Sequence, residues 1–465
     1  MGATDPRRSI PSVDRLLERP WCRDLIAAHG QSWITGRLRA VLDEMRAGRR
    51  QVPDTDEGFA ASVRTEVAHA SSPSLRRVVN ATGVVLHTNL GRAPLAAEAR
   101  RAMAAAAGYG NVEFDLRTGE RGSRYHHCVE LVRELTGAED AVVVNNNAGA
   151  VALALTAFAA GRGVAVSHGE LVEIGGGFRI PEVVEAAGAR LVTVGTTNRT
   201  RRADYRRATE RGDVAAILKV HRSNFSMSGF TEEAELAELV ELGAAHGVPV
   251  IHDLGSGLLV DSAALGLPYE PTPAESIAAG VDLVAFSGDK LLGGAQAGVL
   301  AGTAAGVARA KSHPLCRALR SDKVTLAGLE ATLSLYRDPE RARERIPALR
   351  MIGTAGRRLE RRADAVLAAV GRRGAGLRRA LRAEVVAADS LVGGGAFPDA
   401  RIPTAAISLG AGERAEEWLA RLRAHDPPVI ARRRRGRLLL DLRTIAPEED
   451  AVVAAALASL AASVP

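Results

Sequence analysis

The sequence predicts an α/β protein with a mostly parallel central sheet, a small helical N-terminal domain and a smaller α+β C-terminal domain. Three observations support this prediction. Residues 1–70 show helical periodicity and no strand pattern, short apolar runs then alternate with helical stretches, and an Arg-rich helical stretch with short strands closes the chain. We therefore expect three domains, at residues 1–70, 71–330 and 331–465.

The N-terminal domain is predicted from apolar residues that recur at helical spacing. The loop at 53–58 and the segment SSPS at 71–74 offer breaks before the main body. The residues that define the helical faces are Val13, Leu16, Leu17, Ile34, Leu38, Val41, Leu42 and Met45.

The central sheet is predicted from unbroken runs of Val, Ile, Leu and Ala, which are typical of parallel strands buried on both faces. Open sheets of this kind bind ligands at the carboxyl ends of their strands. The runs are AVVV at 141, GVAV at 163, LVTV at 191, VAAILKV at 214, VPVI at 248 and VDLVAF at 281.

The C-terminal domain is predicted from an Arg-rich helix, a break at 393–395, the strands TAAISL and RLLLDL, and a final helix. Residues 331–465 contain 24 basic and 16 acidic groups, an excess of +8 in a chain whose net charge is +7. Such an excess favours phosphate-rich partners. We expect the densest run, 432–435, to be a solvated face.

Composition excludes several classes of protein. The chain has 465 residues, 46% of them hydrophobic and 25% charged, which excludes a disordered or fibrous protein, and 3% aromatic content argues against base stacking. Three distant cysteines without a C-x-x-C motif indicate neither a zinc site nor a disulfide framework. The N-terminus lacks an apolar signal core and no apolar run reaches membrane-spanning length, so we expect a cytoplasmic protein without a metal site or a membrane segment.

The chemistry is predicted from an acid and an amine at the ends of two predicted strands. Asp253 ends VPVIHD, and Lys290, one of only four lysines, follows VDLVAFSGD 37 residues later. This is a pyridoxal phosphate arrangement, because a carboxylate can keep the pyridine nitrogen protonated while a lysine amine bonds to the cofactor aldehyde. The alternative is that Lys290 is an ordinary surface lysine.

The cofactor phosphate needs backbone donors, and the strand AVVV runs into a helix start at 145–149. We expect Asn147, Ala148 and Gly149 to bind the cofactor, together with Ser287, which ends the strand before the lysine. The alternative for Asn147 is a simple helix cap.

Nine segments in order resemble the bacterial selenocysteine synthases, the L-seryl-tRNA(Sec) selenium transferases, over nearly the full length. The family belongs to the fold-type-I pyridoxal phosphate enzymes. The segments are PSVDRLL, RRVVNATGVVLHTNLGRAPL, RTGERGSRYHH, LTGAEDAVVVNNNAGAV, HGELVEIGGGFRIP, LKVHRSN, HDLGSG, FSGDKLLGG and HPLCRALRSDK.

The resemblance implies roles for individual residues. Lys290 would carry the cofactor and Asp253 would pair with its ring nitrogen. Asp289, counted with Lys290 as catalytic, would surround the selenophosphate donor together with Arg92, Arg317 and Arg320, the last two sharing a helix face if their segment is helical.

The sequence departs from the family pattern at three positions. His168 stands where the family usually has Arg, Ala295 replaces Pro, and Arg222 lies within KVHRSN. His168 could still stack on the cofactor ring, so we count it among the cofactor residues.

The implied activity is conversion of seryl-tRNA(Sec) to selenocysteinyl-tRNA(Sec) by β-elimination to an aminoacrylyl-tRNA and addition of selenium from selenophosphate. Residues 1–70 would bind tRNA, and the protein would be a homo-oligomer, at least a dimer and by family resemblance a decamer. Two alternatives stay open: a related lyase such as D-glucosaminate-6-phosphate ammonia-lyase, and a non-catalytic tRNA-binding protein, which the Lys290 and Asp253 pair argues against.

Overall fold

The structure is a computed structural model, and it describes residues 10–174 and 177–463. The chain divides into two compact units, the first ending at Arg77 and the second beginning at Val78. Among the described residues, no helix has both the length and the apolar character needed to cross a bilayer.

The N-terminal unit is helical, as the sequence predicted. Its apolar residues at helical spacing form a core of their own, in which Ile34, Leu38 and Val41 are fully buried. Ser12 and Thr55 cap the first and fourth helices through their side-chain oxygens. The helices are α1 (Val13–Leu17), α2 (Pro20–His29), α3 (Gln31–Arg46) and α4 (Asp56–Ser71).

The large sheet of the second unit has seven strands in the order β3-β11-β10-β9-β8-β4-β7. All of them are parallel except β11, which is antiparallel to both of its neighbours. The mostly parallel sheet is confirmed, whereas β11 was not predicted because its glycine-flanked sequence GVLAG offers only a short apolar run. The strands are β3 (Asp140–Val144), β4 (Gly163–Ser167), β7 (Arg190–Val194), β8 (Val214–Val220), β9 (Val250–Gly255), β10 (Leu283–Ser287) and β11 (Gly298–Gly302).

Helices surround this sheet, and α7 packs against β8, β10 and β11 through its Ala- and Leu-rich sequence. A small hairpin, β5 (Glu173–Ile174) with β6 (Phe178–Arg179), lies outside the sheet. The helices are α5 (Ala97–Ala106), α6 (Val129–Thr136), α7 (Asn147–Ala159), α8 (Ile180–Ala186), α9 (Arg202–Thr209), α10 (Leu236–His246), α11 (Pro273–Ala278), α12 (Ala304–Ser312), α13 (Pro314–Ala318), α14 (Lys323–Leu335), α15 (Pro339–Arg345) and α16 (Pro347–Gly353).

A second sheet of six strands has the order β1-β14-β15-β13-β12-β2. Its first and last strands come from the chain before residue 90, a pairing that the sequence pattern did not predict, since both are only three residues long. The strands are β1 (Val79–Ala81), β2 (Val84–Leu86), β12 (Glu384–Gly393), β13 (Ile402–Leu409), β14 (Val429–Arg434) and β15 (Arg437–Asp441), and the accompanying helices are α17 (Gly356–Arg373), α18 (Leu377–Ala380), α19 (Ala415–Ala424) and α20 (Asp450–Ala462).

Candidate active site

A cavity of about 290 Å³ lies at the carboxyl ends of β9 and β10 and at the start of α7. Such strand ends are where open α/β sheets bind ligands. Seven of the residues predicted from the sequence line it, namely Arg92, Asn147, Ala148, Asp253, Ser287, Asp289 and Lys290. Arg92 and Lys290, which are 198 positions apart in the chain, therefore line the same small cavity.

Lys290 is the buried amine of this cavity, with 4% of its surface exposed. The other three lysines are engaged elsewhere: Lys219 with Glu170, Lys311 with Asp140, and Lys323 with the carbonyls of residues 107 and 108. Within the described part of the chain, Nζ of Lys290 makes no hydrogen bond or ion pair, and burial lowers its pKa. A neutral amine is the form that can attack an aldehyde.

Asp253 is the buried carboxylate beside it, also 4% exposed. Its Oδ1 accepts a hydrogen bond of 2.8 Å from Nδ2 of Asn147. Burial raises the pKa of Asp253, while the bond from Asn147 and the positive charge of Lys290 act in the opposite direction. The pKa of each buried group is thus shifted so that its uncharged form is favoured. A charged ligand bound between the two groups would therefore change their protonation.

The start of α7 contributes backbone donors. Asn146 is the N-cap and accepts a hydrogen bond of 2.8 Å from the Gly149 amide, so the alternative that Asn147 is the cap is wrong. The Gly149 amide is occupied by this bond, whereas Asn147 and Ala148 face the cavity. Strand β11 passes so close that a Cβ on Gly298 would lie 2.2 Å from the Asn146 carbonyl oxygen, which explains why this strand carries glycine there.

Arg92 and Asp289 form an ion pair at the mouth of the cavity. Nη1 of Arg92 donates to Oδ2 of Asp289 at 2.8 Å, and the backbone of Ala93 donates to the Asp289 carbonyl at 3.2 Å. Arg92 has a φ of 61°, a left-handed conformation that is uncommon for a residue with a Cβ. The loop therefore holds this guanidinium next to Lys290 at a conformational cost.

His168, Arg317 and Arg320 are exposed and do not line the cavity. The expectation that the two arginines share a helix face is wrong, because α13 ends at Ala318 and Arg320 instead forms an isolated β-bridge with Val144. That bridge lies beside the loop that leads into α7. The roles assigned to these three residues stay predictions.

Sequence reasoning missed His221, which lines the cavity, and its partner Glu270, which lines a neighbouring cavity together with His221. Nε2 of His221 lies 3.2 Å from Oε2 of Glu270, and the His221 amide donates to the Asp253 carbonyl at 2.9 Å. Glu270 is 5% exposed, and among the residues that the structure describes its Oε1 has no hydrogen-bond partner. Polar residues directly after a buried strand drew attention to Asp253, and the same signal after β8 would have found His221.

The arrangement suits covalent chemistry at an amine. In the described ranges 10–174 and 177–463, no cluster of three or more His, Cys, Asp or Glu side chains could hold a metal ion. A buried lysine and a buried acid at adjacent strand ends, next to a helix start, belong to the fold-type-I class of pyridoxal-phosphate-dependent enzymes.

Comparison with known proteins places the chain more narrowly. It belongs to the L-seryl-tRNA selenium transferase family, whose model matches residues 78–446, and the model for the N terminus of selenocysteine synthase matches residues 7–46. The L-seryl-tRNA(Sec) selenium transferase of Solidesulfovibrio magneticus is 53% identical over 431 residues, covering 91% of each chain. That of Carboxydothermus hydrogenoformans is 49% identical over 454 residues, covering 95% of each.

Among solved structures, a D-glucosaminate-6-phosphate ammonia-lyase superposes with a TM-score of 0.58 at 23% identity. The match covers 86% of this chain and 98% of the lyase. At this identity, the similarity concerns the fold alone.

Proposed function

We propose that this protein converts L-seryl-tRNA(Sec) into L-selenocysteinyl-tRNA(Sec), with pyridoxal 5'-phosphate as cofactor and selenophosphate as selenium donor. The observation that carries the proposal is the identity of 49 to 53%, over more than nine-tenths of each chain, with relatives that bear this activity in their names. The buried Lys290 and Asp253 pair supports it.

The cavity fits the cofactor in three respects. Lys290 offers an unpaired amine for the aldehyde, and the helix start at Asn147 and Ala148 offers backbone donors for the phosphate. Asn147 also has a buried Oδ1 that finds no partner within the described ranges, and a ligand could satisfy this polar atom. Asp253 uses Oδ1 to accept from Asn147, which leaves Oδ2 for the ring nitrogen. When bound, pyridoxal phosphate supplies an electron sink for a carbanion at Cα.

Lys290 is the residue that we expect to move protons. With the seryl amine bound to the cofactor in its place, Nζ of Lys290 would be free to act as a base, and burial, which lowers the lysine pKa, favours this role. Nζ then removes the Cα proton and can donate a proton to the departing serine hydroxyl, which leaves as water. The selenium of selenophosphate would then form a bond to the β-carbon, its P–Se bond would be cleaved by water to release inorganic phosphate, and a proton would return to Cα. Asp253 and Asn147, which are hydrogen-bonded to each other, would hold the cofactor ring during these steps.

The donor is an anion, and Arg92 is the cavity residue suited to it. One amino group of its guanidinium bonds Asp289, which fixes the side chain and leaves its remaining N–H groups to bind phosphate-type oxygens. Asp289 thus positions Arg92. We place Arg317 and Arg320 in the same donor site, at the outer side of the loop before α7.

We assign tRNA binding to the N-terminal unit because the family resemblance implies it, and the model for the N terminus of selenocysteine synthase matches residues 7–46. In this unit the Arg37 guanidinium lies 5.8 Å from the ring centroid of the half-buried Trp33, and the His29 ring lies 5.3 Å from the same ring. We also propose a cytoplasmic homo-oligomer, at least a dimer and by family resemblance a decamer. The division at residues 70 and 330 stays a prediction.

The test is to incubate the purified protein and pyridoxal phosphate with labelled seryl-tRNA(Sec) and selenophosphate. Release of labelled selenocysteine after deacylation is expected, with no product from seryl-tRNA(Ser) or from Lys290→Ala. The lyase activity that the sequence left open is the competing outcome of this test. Ammonia release from D-glucosaminate 6-phosphate, without conversion of seryl-tRNA(Sec), would replace the proposed function by that lyase.

A further inference from the structure

The C-terminal domain carries a cluster of arginines that the proposed chemistry does not use. Two segments, 371–383 and 431–440, each contain five arginines and no acidic residue. The fold brings them together, because Nη2 of Arg437 donates to the Arg382 carbonyl at 3.1 Å. Together they line an open cavity of about 610 Å³. We name its wall, formed by Arg378, Arg379, Arg382 and Arg437, the arginine surface.

Few acids neutralise this surface. Glu384 is the one acidic residue that lines it, and it pairs with Arg437 at 2.7 Å. Within the described part of the chain, the guanidinium groups of Arg379 and Arg382 have no hydrogen-bond or ion-pair partner. In contrast, Arg432 and Arg433 of the densest basic run pair with Asp441 and Glu416. The expectation of a simple solvated face therefore fits only part of that run.

Backbone contacts hold several of these side chains in place. Nε of Arg378 donates to the Ala383 carbonyl at 3.2 Å, and Arg437 is fixed by the Arg382 carbonyl. Arg382 has a φ of 45°, and its side chain packs on the backbone of Gly410. A guanidinium fixed in this way keeps outward N–H groups available and loses less conformational entropy when it binds an anion.

The exposure and composition of the arginine surface indicate which class of partner it binds. Arg378, Arg379 and Arg382 are exposed and Arg437 is half-buried, so the four form no enclosed site for a small anion. The large exposed hydrophobic residues, Leu75, Tyr109, Phe114, Leu116, Phe230 and Tyr269, all lie outside the two arginine segments, so an apolar anchor for a lipid surface is missing there. An extended polyanion with regularly spaced phosphates matches a wide, open, positively charged surface.

We propose that the arginine surface binds the phosphodiester backbone of the tRNA substrate, an inference that rests on the proposed function. Phosphate contacts position a nucleic acid without reading its sequence. The surface would therefore add affinity for any tRNA, while discrimination between tRNAs would reside in other contacts.

The experiment compares two triple variants of the full chain. Arg378→Gln/Arg379→Gln/Arg382→Gln removes three charges from the arginine surface, and glutamine makes the same backbone demands as arginine at the left-handed position. The control, Arg357→Gln/Arg358→Gln/Arg361→Gln, removes three exposed charges from the N-terminal end of α17. This helix is about 27 Å long, and its C-terminal end belongs to the arginine segment 371–383. Among the described residues, the side chains of the control arginines also have no partner.

Filter binding of seryl-tRNA(Sec) is measured from 50 to 300 mM salt. Each lost phosphate contact lowers the slope of log K against log salt by about 0.7 to 0.9, so the surface variant should lose about 2 to 3 in slope and bind tenfold or more weakly at physiological salt. The control should keep the wild-type slope, and both variants should keep the cofactor absorbance. The same loss is expected for seryl-tRNA(Ser).

Three results would overturn the inference. One is a surface variant whose slope and affinity equal those of the control. Another is a changed sedimentation coefficient with an unchanged slope, which would make the surface a contact between copies of the chain. The third is a wild-type protein that binds no tRNA. Wild-type protein that binds tRNA but forms no product contradicts the proposed function alone, since the slope comparison is still decided by the variants.

Discussion

Replacing Asp253 with Asn tests the centre of the proposed site, because it removes a charge with little change in shape. A charged hydrogen bond to the ring nitrogen contributes about 1.5 to 3 kcal/mol, and each unit lost from the pKa of that nitrogen costs about 1.4 kcal/mol. Asp253 is almost completely buried, so water cannot replace it. A loss of about 3 to 4 kcal/mol lowers the rate of Cα proton removal about 10²- to 10³-fold.

The stability of the cofactor-free protein should respond differently. Burial raises the pKa of Asp253, so the contribution of this group to folding stability is present at low pH and is lost as the pH rises through that pKa. Asn carries no charge and can still accept from Asn147. We therefore expect the free energy of unfolding of Asp253→Asn at pH 7 to be equal to or higher than that of the wild type.

The assay is release of tritium to water from seryl-tRNA(Sec) labelled at Cα, under single-turnover conditions, with urea unfolding of the cofactor-free proteins alongside. Slow release in a fully stable variant agrees with the proposed role. Release at nearly the wild-type rate would refute it, and so would a slow rate that simply follows a loss of stability.

Three further changes probe the rest of the assignment. Lys290→Met should abolish labelling by borohydride and raise the free energy of unfolding of the cofactor-free protein at pH 7. Burial lowers the lysine pKa, so the destabilisation caused by its charge disappears as the pH approaches about 10.4. A difference in free energy of unfolding between variant and wild type that is the same at pH 7 and at pH 10 would contradict this. Arg92→Gln should raise the KM for selenophosphate at least tenfold while tRNA affinity measured by filter binding stays constant, and an unchanged KM would remove Arg92 from the donor site. Deletion of residues 1–77 should leave the cofactor absorbance intact and abolish the preference for tRNA(Sec) over tRNA(Ser), so a truncated chain that keeps this preference would place recognition in the second unit.

Much of the site could be predicted because its groups follow buried strands. Asp253 and Lys290 each stand at or just after a strand with an unbroken apolar run, and parallel strands bring such positions to one edge. His221 lies in the same kind of position after β8, but its partner Glu270 lies in a loop with no periodic signal. The sequence pattern could therefore have predicted His221 but not Glu270.

The N-terminal helices, the parallel strands and the lysine suited to carry a cofactor were all determined by the sequence, because side-chain periodicity and residue type act over a few neighbouring positions. The tertiary structure alone decided which strands are neighbours: β11 enters between β3 and β10, and β1 and β2 join a sheet formed mainly more than 300 residues later. It also decided that Arg320 lies outside α13, where it bridges Val144, and that the Arg437 side chain donates to the Arg382 carbonyl, since each bond has a backbone group of a distant segment as its partner. Such bonds carry no residue-specific pattern, as every backbone offers the same donor and acceptor.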